Sequence, residues 1–148
     1  MKLSQSVTYA IHAVLRLAEN DESSPVSCGK LAEQGKMPER FLLQILRDLA
    51  KQGLLNSTRG GSGGFTLGRQ PEQITLLEVI EAVEGPLNAG LALKNRFPAG
   101  VGERLHGALE RITETTRQQL RAVKLTDLML HAQDRSPPES GLPSASHR

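Results

Sequence analysis

The spacing of apolar residues in the first third of the chain predicts three helices. In residues 7–18, apolar side chains recur at intervals of three and four residues, as they do on one face of a helix. A second, short helix is predicted from its N-cap Ser27 to Gly35. A third is predicted between Pro38, which suits a first helical turn, and Gly53, which suits the position after a helix. The apolar face of this third helix consists of Phe41, Leu42, Ile45, Leu46 and Leu49.

Two short extended runs follow the third helix. Residues 54–59 and 65–67 favour strands, and the glycine-rich sequence GGSGG at residues 60–64 joins them. This pattern predicts a β-hairpin with a glycine-rich tip. Before the second helix, Pro25 and Val26 predict another short extended segment.

A fourth helix and an irregular stretch come next. Thr75 and Glu78 have the spacing of a capping box, which predicts that a helix begins there and runs to about Glu84. Residues 86–101 contain Pro and Gly near both ends and show no clear period, which indicates a loop or linker.

The longest predicted helix, from Glu103 to about Lys124, has an apolar stripe that one small chain cannot cover. At about 1.5 Å per residue the helix is roughly 30 Å long, so its stripe predicts a partner helix. We assign residues 102–133 to this dimerisation region, and we expect the Pro- and Ser-rich residues 134–148 to be disordered. The stripe consists of Leu105, Leu109, Ile112, Leu120 and Val123, with Thr116 in the remaining turn.

The order of these elements predicts the fold class. A helix, a short extended segment, two helices joined by a turn, and a two-stranded wing are typical of the winged helix-turn-helix arrangement. The prediction is therefore a mainly α protein with a small β-wing. Residues 1–85 would form a winged helix-turn-helix DNA-binding domain, followed by a long C-terminal dimerisation helix.

Composition narrows the class of protein. The chain has 148 residues, the size of one domain with an appendage, and only 3% aromatic residues, too few for a base-stacking platform. Its single cysteine, Cys28, excludes an internal disulfide and a cysteine-rich metal site, and it fits a reducing compartment. No stretch has the apolar length of a membrane span, so we expect a cytoplasmic protein without a membrane partner. Residues 1–69 are the basic half, with nine Lys and Arg against six Asp and Glu.

The third helix and the hairpin tip hold the candidate DNA contacts. Arg40, Gln44 and Arg47 lie on the side of the helix opposite its apolar face, where Arg can pair with guanine and Gln with adenine in a major groove. Arg59 directly precedes the glycine tip and could enter an AT-rich minor groove. The alternative to DNA contacts is that this side of the third helix is an ordinary solvated face and that Arg59 lies incidentally on a flexible hairpin. The candidates for contacts with the DNA backbone are Gly60, Gly61, Ser62 and Gly63 at the tip and Lys2, Ser4 and Tyr9 at the chain start.

Catalytic motifs do not fit the chain. The tip GGSGG matches the pattern GxSxG with Ser62 as a nucleophile, but that motif requires a strand-to-helix turn in an α/β sheet. Here the glycines join two predicted strands, and no phosphate-loop, zinc-protease or calcium-loop pattern occurs. We therefore expect no enzymatic activity.

Three residues are candidates for sensing a signal. Cys28 falls in the first turn of the second helix, where the helix dipole can lower the pKa of a thiol and favour a redox-sensitive thiolate. His12 and His106 could each be a ligand held between subunits. The alternative for all three is a buried residue with a structural role.

Four segments of the sequence resemble the Rrf2 family of bacterial winged-helix transcription regulators: MKLSQSVTYAIHAVLRLA, PERFLLQILRDLAKQGLLNSTRGGSGGFTLGR, ITLLEVIEAVEG and VKLTDL. The resemblance covers residues 1 to about 130. It implies a homodimer on a pseudo-palindromic operator, with Arg40 and Gln44 reading the major groove and Arg59 in the minor groove. It also implies a repressor, as most members are, although some activate, and it places the sensing loop at residues 86–100.

The chain departs from the cluster-bearing members of that family. Those members have three cysteines between the wing helix and the dimerisation helix, whereas this chain has none between Gly85 and Leu105. His106 falls where some members have a fourth, histidine ligand, and His12 resembles a ligand of a minority. We therefore expect no iron-sulfur cluster, and control by a small molecule, a partner protein or a thiol. Two further hypotheses stay open: a metal or redox sensor acting through His12, His106 or Cys28, and a winged-helix module that binds another protein.

Overall fold

The computed structural model describes residues 1–21 and 23–129, and these form six α-helices and one two-stranded sheet. The predicted elements are all present in the predicted order. Short 3-10 turns at Pro71–Gln73 and Lys94–Arg96 supplement them. The elements are α1 (Gln5–Ala18), α2 (Cys28–Gly35), α3 (Glu39–Lys51), β1 (Leu55–Thr58), β2 (Gly64–Leu67), α4 (Leu76–Glu84), α5 (Val101–Ala122) and α6 (Leu125–Leu128).

Local signals set the ends of the first three helices. The Ser27 hydroxyl accepts a hydrogen bond from the backbone N–H of Lys30 at 3.1 Å, so Ser27 caps α2 as predicted. Helix α3 starts directly after Pro38 and ends in a Schellman motif. In that motif Gly53 has φ +77°, and Leu54 N–H bonds to the Leu49 carbonyl at 3.0 Å.

The wing is an antiparallel hairpin attached to the helical core. Its register pairs Leu55 with Leu67 and Thr58 with Gly64. The extended segment predicted before α2 pairs with it, because Val26 and Phe65 exchange two backbone hydrogen bonds of 3.0 and 2.8 Å. A Cβ on Gly64 would collide with the Val26 carbonyl, so this close approach requires glycine.

One hydrophobic core joins the helices to the wing. It combines the buried faces of α1, α2 and α3 with Leu54, Leu55 and Phe65 of the wing and with Ile74 and Val79 around the start of α4. A second, smaller cluster lies between α1, α4 and the C-terminal end of α5, and it contains Val7, Leu77, Ile80 and Leu120. The wing and α3 therefore share one rigid support.

The capping box at the start of α4 is present as predicted. The Thr75 hydroxyl accepts from Glu78 N–H at 3.1 Å, and a Glu78 carboxylate oxygen accepts from Thr75 N–H at 3.0 Å. The same segment binds the chain after α5. Leu76 N–H donates to the Val123 carbonyl at 2.9 Å, and Leu125 N–H to the Ile74 carbonyl at 2.8 Å. The C-terminal end of α5 is thus fastened to α4.

The N-terminal part of α5 leaves most of its apolar stripe uncovered. Leu105 is 37% exposed and Ile112 is 61% exposed, whereas Leu120 is 7% exposed against α4. The helix begins at Val101, two residues earlier than predicted. Gly100 is its N-cap, and the Gly100 carbonyl accepts from Arg104 N–H at 3.2 Å. In the first turn Gly102 lies against the Lys94 carbonyl of the preceding loop, where a Cβ would come within 2.7 Å of the oxygen.

The predicted domain boundaries remain predictions, and residues 134–148 lie outside the described residues, as do 130–133. Residues 86–100 have no strand or α-helix, as expected for a loop. In the described part of the chain, no helix combines the length and the apolar character that crossing a membrane requires.

Candidate nucleic-acid interface

The outer face of α3 is positively charged and free of core contacts. Leu42, Ile45, Leu46 and Leu49 are buried on the opposite face. Because the helix repeats every 3.6 residues, residues 40, 44, 47 and 51 then share the outer side. All four side chains are exposed: Arg40, Gln44, Arg47 and Lys51. The exposure of Arg40, Gln44 and Arg47 agrees with the prediction from the sequence.

Gln44 does not extend freely from this face. Its side-chain amide donates a hydrogen bond to a carboxylate oxygen of Asp48, one turn further along, at 3.1 Å. The bond restricts the rotamers of Gln44 and leaves its amide oxygen available as an acceptor. Sequence reasoning missed this contact, although the spacing of four residues on a helix was a usable signal.

The start of α1 lies beside the start of α3. The rings of Tyr9 and Phe41 meet edge to face, with centroids 5.8 Å apart and planes at 78°. Gln5 donates to the Tyr9 hydroxyl at 3.0 Å. The assignment of Phe41 to the buried face of α3 was wrong: it is 43% exposed, because it lies at the edge of that face and packs on Tyr9.

The other two candidates at the chain start have different surroundings. Lys2 is exposed and precedes α1. Ser4 is exposed too, but its hydroxyl oxygen accepts from Val7 N–H at 3.2 Å as the N-cap of α1. Ser4 therefore keeps its hydroxyl proton for a phosphate while its oxygen stabilises the helix.

The wing tip presents one arginine beside a glycine-rich turn. Arg59, Gly60, Gly61 and Ser62 are exposed, and Gly60 has φ +115°. Gly63 differs from them, because its N–H bonds to the Gly60 carbonyl at 3.0 Å and its Cα lies under the Thr58 carbonyl. Gly63 closes the turn, so its N–H is not available to a phosphate.

The two candidate sensing histidines lie in separate, half-buried settings. The His12 ring packs against Gly35, at the end of α2, and its Nε2 is buried without a hydrogen-bond partner among the described residues. Burial, with the charge of Arg16 adding to it, lowers the pKa of His12. His106 Nε2 lies 3.2 Å from a Glu110 carboxylate oxygen. Within residues 1–21 and 23–129, no group of three or more His, Cys, Asp or Glu side chains is arranged to hold a metal ion.

Cys28 is the first residue of α2, in the first turn as predicted, and its neighbours oppose formation of a thiolate. Burial raises the pKa of its thiol, the carboxylate of Glu39 raises it further, and Arg47 opposes them in part. The Cys28 thiol donates to the Glu39 carbonyl at 3.6 Å. Burial and a neighbouring carboxylate disfavour the thiolate. These surroundings therefore favour the alternative of a cysteine with a structural role over a redox-sensitive thiolate.

Two ion pairs on α4 escaped sequence reasoning. Arg69 lies 2.7 Å from Glu78, and Arg117 lies 2.9 Å from Glu81. Burial alone would raise the pKa of Glu78, but hydrogen bonds from Arg69 and Thr75 and the charge of Arg69 outweigh it and hold that pKa below its usual range. Neither partner is a helical neighbour of its carboxylate, so no sequence spacing indicated the pairs.

Comparisons with known proteins agree with this architecture. A family model described as "Rrf2: Iron-dependent Transcriptional regulator" matches residues 3–131. The HTH-type transcriptional regulator CymR of Bacillus subtilis is 30% identical over 118 residues, which cover 78% of this chain and 86% of that protein.

Solved structures give the same result. The structure of B. subtilis CymR, described as the global cysteine regulator, superposes with a TM-score of 0.69 at 30% identity, over 86% of this chain and 95% of that one. The IscR structure from T. potens superposes with a TM-score of 0.66 at 29% identity, over 86% and 85%. These relatives are regulators rather than enzymes. The chain therefore belongs to the Rrf2 family of DNA-binding transcriptional regulators.

Proposed function

We propose that this regulator acts as a homodimer on a two-fold symmetric operator, with α3 in the major groove and the wing tip in the adjacent minor groove. The observation that carries the proposal is the exposed, cationic outer face of α3, which shares a core with a wing that ends in exposed Arg59. Arg40, Gln44 and Arg47 are the side chains that would read base edges. Lys2, Tyr9 and the tip backbone would bind phosphates and fix the register.

The exposed stripe on α5 supports the homodimer. Apolar side chains such as Ile112, 61% exposed in the single chain, gain stability when a second copy of the same helix covers them. A dimer also places two copies of α3 on one face of the DNA. Half-sites about 10 base pairs apart, centre to centre, would then lie on the same side of the duplex.

The donor chemistry favours regulation without an iron-sulfur cluster. Such clusters are held mainly by cysteine thiolates, and the chain has one cysteine, Cys28 on α2, with none in the 86–100 loop. The side chains present therefore do not fit the cluster. The input in this proposal is a small molecule or a partner protein that acts on the 86–100 loop, and the output is repression by a dimer that occupies a promoter in the cytoplasm.

The test is selection of DNA fragments followed by affinity measurements on the selected operator. Replacing Arg59 with Ala should weaken binding roughly tenfold, because it removes a cation that the negative potential of the minor groove attracts. The same change should lower the salt dependence by about one counterion. Gln44→Ala should instead relax the preference at one base-pair position and leave the salt dependence unchanged. Arg121→Ala, which removes an exposed arginine near the end of α5, is the matched control.

Two outcomes would count against the proposed DNA binding. If Arg59→Ala and Gln44→Ala both bind the operator with the affinity and specificity of the wild type, the assignment of α3 and the wing to the grooves is contradicted. Failure of the wild-type chain to enrich any DNA at low salt, together with a stable protein partner, would favour the protein-interaction module instead.

A further inference from the structure

A single arginine joins three segments of the molecule. Arg117 on α5 places its Nη1 2.9 Å from a carboxylate oxygen of Glu81 on α4. The same nitrogen donates to the Leu87 carbonyl, at the start of the 86–100 loop, at 3.1 Å. The other carboxylate oxygen of Glu81 accepts from Leu87 N–H at 3.3 Å. Both side chains are largely buried, with 25% and 22% of their surfaces exposed.

The Arg117 contact lies at the N-terminal limit of the part of α5 that packs against the DNA-binding domain. Beyond it towards the C-terminus, Leu120 packs in the smaller cluster and the segment after α5 bonds to the start of α4. Towards the N-terminus, α5 continues to Val101 with its stripe exposed. Residues 101–116, the part of α5 before Arg117, span about 24 Å. A tilt of about 10° at Arg117 would therefore move the N-terminal end of α5 by about 4 Å.

The 86–100 loop contacts α5 at two places, one near Arg117 and one near the N-terminal end of the helix. Leu87 is held by Arg117 and Glu81 at the fastened end. Lys94 lies on Gly102 at the far end, where the missing Cβ lets the loop carbonyl approach the helix. A rearrangement of the loop would therefore act on the angle between α5 and α4 from two sides.

We propose that Arg117 is a positioning residue that fixes the angle of α5 against α4, and with it the separation of the two α3 helices on DNA. The guanidinium suits this role because its Nη1 has two N–H donors, one for the Glu81 carboxylate and one for the Leu87 carbonyl, and because it keeps its charge. This inference rests on the proposed dimer on a two-fold operator.

The experiment measures binding to a series of operators with identical half-sites and spacers altered by one and two base pairs. The wild-type dimer should prefer one spacing. Arg117→Ala should lose about fivefold or more of that preference, since couplings between sites are typically about 5- to 150-fold. Arg121→Ala removes the same charge one turn further along α5, outside any salt bridge among the described residues, and should keep the preference. Arg117→Lys should restore only part of it.

Two further measurements separate positioning from folding. Sedimentation and thermal unfolding show whether each variant remains a folded dimer. Glu81→Gln keeps the size of the side chain and removes its charge, so it should reduce the spacing preference even if Arg117→Ala fails to fold.

Three outcomes decide the matter. Loss of spacing preference in folded Arg117 or Glu81 variants, but not in Arg121→Ala, supports the inference. An unchanged preference in the folded variants overturns it while leaving the proposed function intact. A wild-type chain that binds no two-fold operator, or binds every spacing equally, overturns the proposed dimer on DNA itself, and the role of Arg117 falls with it.

Discussion

Cys28 shows how a residue's neighbours decide its chemistry. At the first position of α2 its pKa is raised by burial and by Glu39, with partial opposition from Arg47. Because the thiolate is the reactive form, Cys28 in the folded protein should react with iodoacetamide more slowly at neutral pH than in the unfolded chain. Rates measured against pH, with and without denaturant, check this. A lower midpoint in the folded protein would contradict the structure and revive a thiol switch, for which Cys28→Ser is the control.

At the scale of a secondary-structure element, the capping box determines where α4 begins. Thr75→Ala should lower the free energy of unfolding by about 1 kcal/mol, or about 2 to 4 °C in melting temperature at fixed protein concentration. The pKa of Glu78 is lowered, since hydrogen bonds from Arg69 and Thr75 outweigh its burial. The carboxylate therefore stabilises the fold above its unfolded pKa, and the difference between the variant and the wild type should shrink as acid protonates Glu78.

The matched control for that variant is Thr8→Ala. The Thr8 hydroxyl is exposed and donates only to the Ser4 carbonyl of its own helix at 3.0 Å. This change should alter the melting temperature little. Calorimetry from about pH 7 down to about pH 3 checks this, since that interval includes the usual pKa of a glutamate near about 4.3. Equal losses of stability in both variants would show that the capping box does not stabilise the fold more than an ordinary helix hydroxyl does.

At the scale of the whole molecule, the uncovered stripe on α5 predicts how the chain assembles. Ile112→Glu places a charge where the partner helix would pack, and an unpaired buried charge is strongly unfavourable. The variant should sediment as a monomer and lose operator binding at concentrations where the wild type is bound. Gln118→Glu adds the same charge on the side of α5 away from the stripe and should leave the dimer intact. A dimeric Ile112→Glu would move the interface elsewhere.

Much of this fold could be predicted because its signals are local. A cap at Ser27, a capping box at Thr75, a left-handed Gly53 and a glycine tip each act within a few residues of chain, so each can be read directly. The exposed face of α3 followed from the helical period alone. Phe41 was wrongly assigned to the buried face of α3. Its ring lies at the edge of that face, and its position depends on a contact with Tyr9 of another helix, which the helical period does not show.

The sequence by itself determined the order and type of the elements, the cationic face of α3 and the absence of a cysteine set for a cluster, because these depend on residue type and short spacing. Only the tertiary structure decided that burial and the Glu39 carboxylate would raise the pKa of Cys28 and that Glu81, Leu87 and Arg117 would meet. Arg117 and Leu87 are thirty positions apart along the chain. Contacts at that separation depend on how packed helices are oriented, and no local periodicity of the sequence carries that information.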